Sequence, residues 1–96
     1  MHLLICYDVA TTTKEGRRRL RQVARACLNY GQRVQFSVFE CVVGEKEWAH
    51  LRHRLLQVID TDEDSVRFYF LCRQDVARIE HHGLKKHRDL REPLIV

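Results

Sequence analysis

An α+β domain, with strands and helices following one another in the order β-α-β-β-α-β, is the fold class this sequence predicts. Three observations carry it. The chain opens on an apolar run of strand length, two stretches at helical period flank one long extended segment, and a later segment alternates residue by residue. Ninety-six residues make a single domain over 1–96, too short for two independent cores. Hydrophobic residues at 45 % and a single proline leave no room for a disordered or low-complexity tract, so the whole chain is read as folded.

His2 to Val9, HLLICYDV, is nearly continuously apolar, as a strand covered on both faces would be. Thr12 stands three residues before Glu15, the spacing of a capping box, and predicts a helix that runs to Asn29 or Tyr30 with Gly31 closing it. Leu20, Val23, Ala24, Cys27 and Tyr30 form its expected buried stripe, while Arg17, Arg18, Arg21 and Arg25 cluster on an adjacent flank. Arg33 to Val43 is β-branched and aromatic but longer than an average strand, which predicts a reversal or bulge near Ser37.

Lys46 to Ile59 places Trp48, Leu51, Leu55, Val58 and Ile59 at helical spacing, with His50, Arg52, His53 and Arg54 outside. Asp60 to Asp64 reads as a solvated acidic turn and Ser65 to Leu71 as a half-buried strand. Ala77 to His81 suggests one more short strand before the apolar end Leu94-Ile95-Val96. The simplest layering is ferredoxin-like, two helices on one face of a four-stranded antiparallel sheet, with a core over 1–77 and a tail over 78–96. The other sheet face is left open, which favours pairing with a second copy.

Charge is distributed unevenly. The chain carries +4, yet residues 14–33 hold seven Lys and Arg against one Glu, a local +6 that leaves the remainder at −2. An excess confined to one segment points to a polyanionic partner, of which nucleic acid is the commonest. Cys6, Cys27, Cys41 and Cys72 are widely spaced with no C-x-x-C pair, so no zinc knuckle is expected, and they read as buried packing residues of a reduced, cytoplasmic protein. No apolar run approaches the roughly 20 residues that span a bilayer, and no secretory leader is recognisable.

Asp8 is the strongest catalytic candidate, because a carboxylate at the end of a buried strand is rigidly held and projects toward the adjoining loops. Beside an arginine flank it is suited to hold a divalent cation while the guanidinium groups hold phosphates. One carboxylate binds Mg²⁺ weakly, so the site needs a second anionic ligand, which a two-fold dimer supplies from its own copy of Asp8. Other clusters are weaker. The run Asp60, Asp62, Glu63, Asp64 lacks the turn glycine and late Glu of a calcium loop, and His81-His82, adjacent on an expected strand, point to opposite faces. Phe68 and Phe70 lack the glycine-containing pattern of base-stacking sheet proteins and read as core.

With the segment GQRVQFSVFE, residues 31–40, joined to the opening LLICYDV and the arginine-rich first helix, the chain resembles the CRISPR-associated protein Cas2 family over nearly its whole length. The SVFECVV run and the DLREPLIV ending resemble its subtype I-C branch. The resemblance implies a ferredoxin-like homodimer in which a short C-terminal strand, with Leu94, Ile95 and Val96, pairs across to the partner. It implies that Asp8 is the catalytic residue and that two Asp8 residues share Mg²⁺ or Mn²⁺ for endonucleolytic hydrolysis of double-stranded DNA or single-stranded RNA. Tyr7 and Ser37 would shape the cleft, and Arg17, Arg18, Arg19, Arg21, Arg25, Arg33 and Phe39 would hold nucleic acid. The CRISPR integrase subunit is the implied protein partner, bridged during spacer acquisition, with the acidic run and the tail as candidate contact surfaces. Two alternatives stand beside this reading: a non-catalytic DNA-binding scaffold, and a toxin-like ribonuclease of the same fold outside CRISPR.

Overall fold

In the computed structural model, which describes residues 1–84, the elements are β1 (His2–Asp8), α1 (Lys14–Leu28), β2 (Gly31–Gln35), β3 (Val38–Val42), α2 (Glu45–Val58), β4 (Ser65–Leu71) and α3 (Arg73–Ala77). The four strands form one antiparallel sheet in the order β2-β3-β1-β4. Because β1 lies between β3 and β4, it is the spine of the sheet, and the arrangement is the ferredoxin-like one. The expected tail residues Leu94, Ile95 and Val96 lie outside the described residues. Among the described residues no helix is long and apolar enough to cross a membrane.

Register assigns the two faces. Leu3, Ile5 and Tyr7 of β1 stand opposite Phe70, Phe68 and Val66 of β4, and Leu3 and Ile5 also face Cys41 and Phe39 of β3. Together with Val23, Ala26 and Cys27 of α1 and Leu51 and Leu55 of α2 they build the core. Trp48 closes one side, meeting Phe68 and Phe70 edge-on at 4.8 and 5.0 Å between ring centroids; Phe68 packs against the core as expected, whereas Phe70 is 53 % exposed at the edge of the sheet, a correction to its reading as core. The opposite face of β1 is only half-buried at Leu4 and Cys6. The strand is thus covered on one face, where the continuous apolar run predicted two, and Val38, Val42, Tyr69 and Leu71 continue the open surface.

Four local expectations are corrected. The α1 cap is Thr13, whose hydroxyl accepts from the Gly16 N–H at 3.0 Å, one residue later than the Thr12 of the expected box. Ala26 takes a fully buried place on the stripe, whereas Leu20, Ala24 and Tyr30 are only partly buried. Gly31 opens β2 and does not close α1 through a left-handed turn. A Cβ there would stand 2.4 Å from both the Cys41 sulfur and the Glu40 carbonyl oxygen, so close strand packing is what demands glycine. Ala77 to His81 contains no strand. The short helix α3 precedes that segment and ends at Ala77, its first turn capped by Asp75, which accepts the Cys72 N–H at 3.1 Å, and the residues after it form neither helix nor strand up to residue 84.

The long extended segment does reverse where expected. β2 and β3 turn at Phe36 and Ser37, with a register shift between Arg33 and Gln35 that accommodates one extra residue.

Candidate active site and nucleic-acid interface

The C-terminal end of β1 gathers three segments that are distant in sequence. On one side Asp8 stands opposite Ser65 at the start of β4. On the other, the Tyr7 N–H donates to the Ser37 carbonyl at 3.0 Å and the Tyr7 hydroxyl donates to the Phe36 carbonyl at 3.2 Å, tying the β2–β3 turn against the strand end. Tyr7 and Ser37 thus border the strand end that bears Asp8. The Tyr7 ring is buried and stacks on Phe39 at 6.1 Å, and burial raises its pKa, with the Arg33 charge working against that rise. Phe36, at the tip of the turn, is 90 % exposed.

Asp8 itself is exposed, and its carboxylate makes no hydrogen bond or ion pair among the described residues. The strand ladder fixes its backbone while the side chain stays exposed. A hard, rigidly based carboxylate of this kind suits Mg²⁺, which keeps several waters and takes one or two protein carboxylates. No group of three potential metal ligands occurs among the described residues, so a cation at Asp8 needs donors from water, substrate or a second chain.

The neighbouring acid, Asp64, behaves in the opposite way. Its side chain is fully buried, accepting the Ala10 N–H at 3.0 Å, the Asp60 N–H at 2.9 Å and Arg19 Nε at 2.8 Å. Burial pushes its pKa up, but Arg19 and the two backbone donors outweigh burial and hold it below the usual carboxylate range. The acidic turn is therefore solvated at Asp62 and Glu63 but not at Asp64, a correction to the sequence reading. What Asp64 fixes is the loop 9–13, which carries the chain from Asp8 into α1.

The arginines divide accordingly. Arg19 spends its guanidinium on Asp64 and Glu63 and leaves only 16 % of its side chain exposed, so it braces the site where direct phosphate contact was expected. Arg17, Arg18, Arg21 and Arg25 are all exposed on α1. Arg17 donates to the Thr11 carbonyl at 3.2 Å, and the other three have no partner among the described residues. Arg33 sits over the Phe39 ring at 5.2 Å with its Nε buried and unpaired. Phe39 is fully enclosed in the core, so the expectation that it touches substrate gives way to a platform beneath Arg33.

Elsewhere the weaker candidates stay weak. His81 and His82 are exposed and bonded locally, to the Gly83 carbonyl and to Glu80. Cys27 and Cys41 are buried, with thiols raised to about 12 and about 11 by burial, whereas Cys72 is exposed and Cys6 half-buried, contrary to the expectation for all four.

The fold and its strand-end site define a small ferredoxin-like α+β domain with one exposed carboxylate at the end of a central strand and an arginine-bearing helix beside it. Within that class the family model for CRISPR associated protein Cas2 matches residues 1–79, and the chain belongs to this family. A relative from Chlorobaculum tepidum, a CRISPR-associated endoribonuclease Cas2, is 54 % identical over the full length of both chains. The crystal structure of Streptococcus pyogenes Cas2 at pH 6.5 is 52 % identical, covers 86 % of this chain and 100 % of its own, and superposes with a TM-score of 0.76. A chain from a partial Cas6-RT-Cas1–Cas2 complex, 25 % identical, covers 99 % of this chain and 95 % of its own with a TM-score of 0.65.

Proposed function

We propose that this chain is a subunit of the CRISPR adaptation machinery: a homodimer that binds nucleic-acid backbones, partners the integrase, and hydrolyses phosphodiester bonds of double-stranded DNA or single-stranded RNA. The observation that carries the catalytic part is the contrast at the end of β1, where Asp64 is consumed by structure and Asp8, opposite Ser65, is left exposed and unpartnered. The names of the relatives, an endoribonuclease and a component of a Cas1–Cas2 assembly, support the reaction class and the partner.

In this reading Asp8 of each protomer would hold Mg²⁺ or Mn²⁺, which when bound would supply an activated water and charge neutralisation at the phosphate. The protein's own residues position that chemistry. The strand ladder immobilises Asp8, Tyr7 and Ser37 keep the turn against it, and the Arg19–Asp64 pair anchors the loop into α1. The exposed arginines Arg17, Arg18, Arg21 and Arg25 attract the backbone, and Arg33 sits on its Phe39 platform. Phosphate contacts of this kind are blind to sequence and steeply salt-dependent.

The dimer rests on the open sheet face. Leu4, Cys6, Val38, Val42, Tyr69 and Leu71 leave a band of half-buried and exposed apolar surface in one chain, which a second copy would cover. The test is cleavage of labelled single-stranded RNA and duplex DNA with Mg²⁺ by the wild type and by Asp8→Asn, with sedimentation of both. Loss of cleavage in an intact dimer is expected. Undiminished turnover in Asp8→Asn removes Asp8 from the chemistry. A non-catalytic scaffold is the second reading, favoured by the single carboxylate per chain and the lack of a three-ligand cluster among the described residues, and wild type that binds duplex without cutting it would establish that reading.

A further inference from the structure

Helices α1 and α2 form a groove of about 390 Å³ that opens to solvent, lined by Gln22, Arg25, Ala26, Asn29, Tyr30, His50 and Arg54. Its chemistry is one-sided. Two arginines, a histidine, a tyrosine and two carboxamide residues line it beside Ala26, and no carboxylate-bearing residue does. Arg25, His50 and Arg54 have no hydrogen-bond or ion-pair partner among the described residues, and Glu47, one turn before His50, is occupied by the Gly44 N–H at 3.0 Å. Arg19 shows what this protein does with an arginine meant for internal bracing: it provides a buried acid. The groove arginines receive none.

We infer that this groove seats a stretch of the sugar-phosphate backbone of a nucleic-acid strand, as a phosphate-binding station separate from the Asp8 end of the molecule. Guanidinium forks match phosphate oxygens bidentately, and the carboxamides of Gln22 and Asn29 add neutral donors. The volume lies in the range of small-ligand sites, enough for a phosphate with part of its sugar. Position separates the two stations. The start of α1 adjoins the loop from Asp8, whereas Arg25 lies eleven residues along the helix from Lys14, about 16 Å at 1.5 Å per residue. At about 3.4 Å of axis per phosphate in one strand, that is roughly five phosphates away. A strand leaving the Asp8 end along the exposed arginines of α1 therefore arrives at the groove, where α2 contributes Arg54 and His50.

The inference rests on the nucleic-acid reading above, and the experiment separates the two. Binding of a labelled 30-base-pair duplex and of a single-stranded RNA is titrated against salt for the wild type, for Arg54→Gln with His50→Gln, for Arg54→Lys, and for Arg17→Ala with Arg21→Ala. The substituted side chains are exposed, and thermal melting confirms folding. The α2 double variant is expected to lose several-fold in affinity at any base sequence, with the slope of log K against log salt shallower by about 1 to 2. Arg54→Lys, which keeps the charge, should retain most of the slope. An unchanged slope and affinity in the α2 variant, with the α1 variant impaired, overturns the groove and leaves the nucleic-acid reading standing. Absence of salt-dependent binding in the wild type overturns both.

Discussion

Asp8 and Asp64 are the same residue type, placed next to each other in space, since Asp8 pairs across the sheet with Ser65. One is exposed and partnerless, the other buried under three hydrogen-bonded groups. The difference teaches how a small domain builds a reactive corner. A carboxylate that satisfies loop N–H groups and an arginine becomes structure, and the rigidity it confers keeps its neighbour in place without consuming it. The same division runs through the arginines, with Arg19 turned inward and Arg18 beside it turned out.

The largest expected effect tests the pair directly. Asp8→Asn should lower cleavage at least about a hundredfold, as loss of a metal ligand does, while leaving the melting temperature near that of wild type. Asp64→Asn should do the reverse in kind, lowering the melting temperature on the order of 10 °C by leaving Arg19 without its buried partner. If Asp64→Asn melts like the wild type, the bracing role is wrong.

Acid sharpens the same contrast. The Asp64 pKa is held below its unfolded value of about 3.9, so its stabilisation is complete above that value and is lost as pH falls through the folded pKa. The wild-type melting temperature should therefore drop below about pH 4, and Asp64→Asn should show a flatter acid limb. Next comes the arginine pair. Arg17→Ala with Arg21→Ala should weaken duplex binding alike for all sequences and reduce the salt slope by about 1 to 2, whereas Arg19→Ala should cost melting temperature with little change in slope.

The smallest effect is local. Thr13→Ala removes the hydroxyl that accepts from Gly16 and should destabilise by about 1 kcal/mol, while Thr12→Ala, two residues before the helix, should be close to neutral in a denaturant titration. Equal effects would restore the capping box that the spacing of Thr12 and Glu15 suggested.

Much of this was readable in the chain. The helices over 14–28 and 45–58, the strand over 65–71 and the reversal at Ser37 follow from period and composition, because backbone geometry imposes those periods on any buried face. Asp8 was legible as the polar end of an apolar strand. Asp64 was not, since four acids in five residues look alike until the partner of each is known. Phe39 read as a substrate contact through resemblance, and only packing shows it enclosed beneath Arg33. The short helix α3 was not legible because its cap is a single Asp75–Cys72 contact, and the strand expected over 77–81 has no neighbouring strand to pair with among the described residues.

What the amino-acid order determines by itself, then, is the succession of elements, the basic helix face and the presence of a strand-end carboxylate, because these depend on neighbours within about one turn or one pleat. What only the tertiary structure decides is which of two identical carboxylates is free and which arginines remain outside. It also decides that Arg25 meets His50 and Arg54 across a groove. Those outcomes depend on contacts between residues 25 to 55 positions apart, such as Ala10 with Asp64 and Arg19 with Asp64, and no local periodicity encodes which long-range donor reaches which acceptor first.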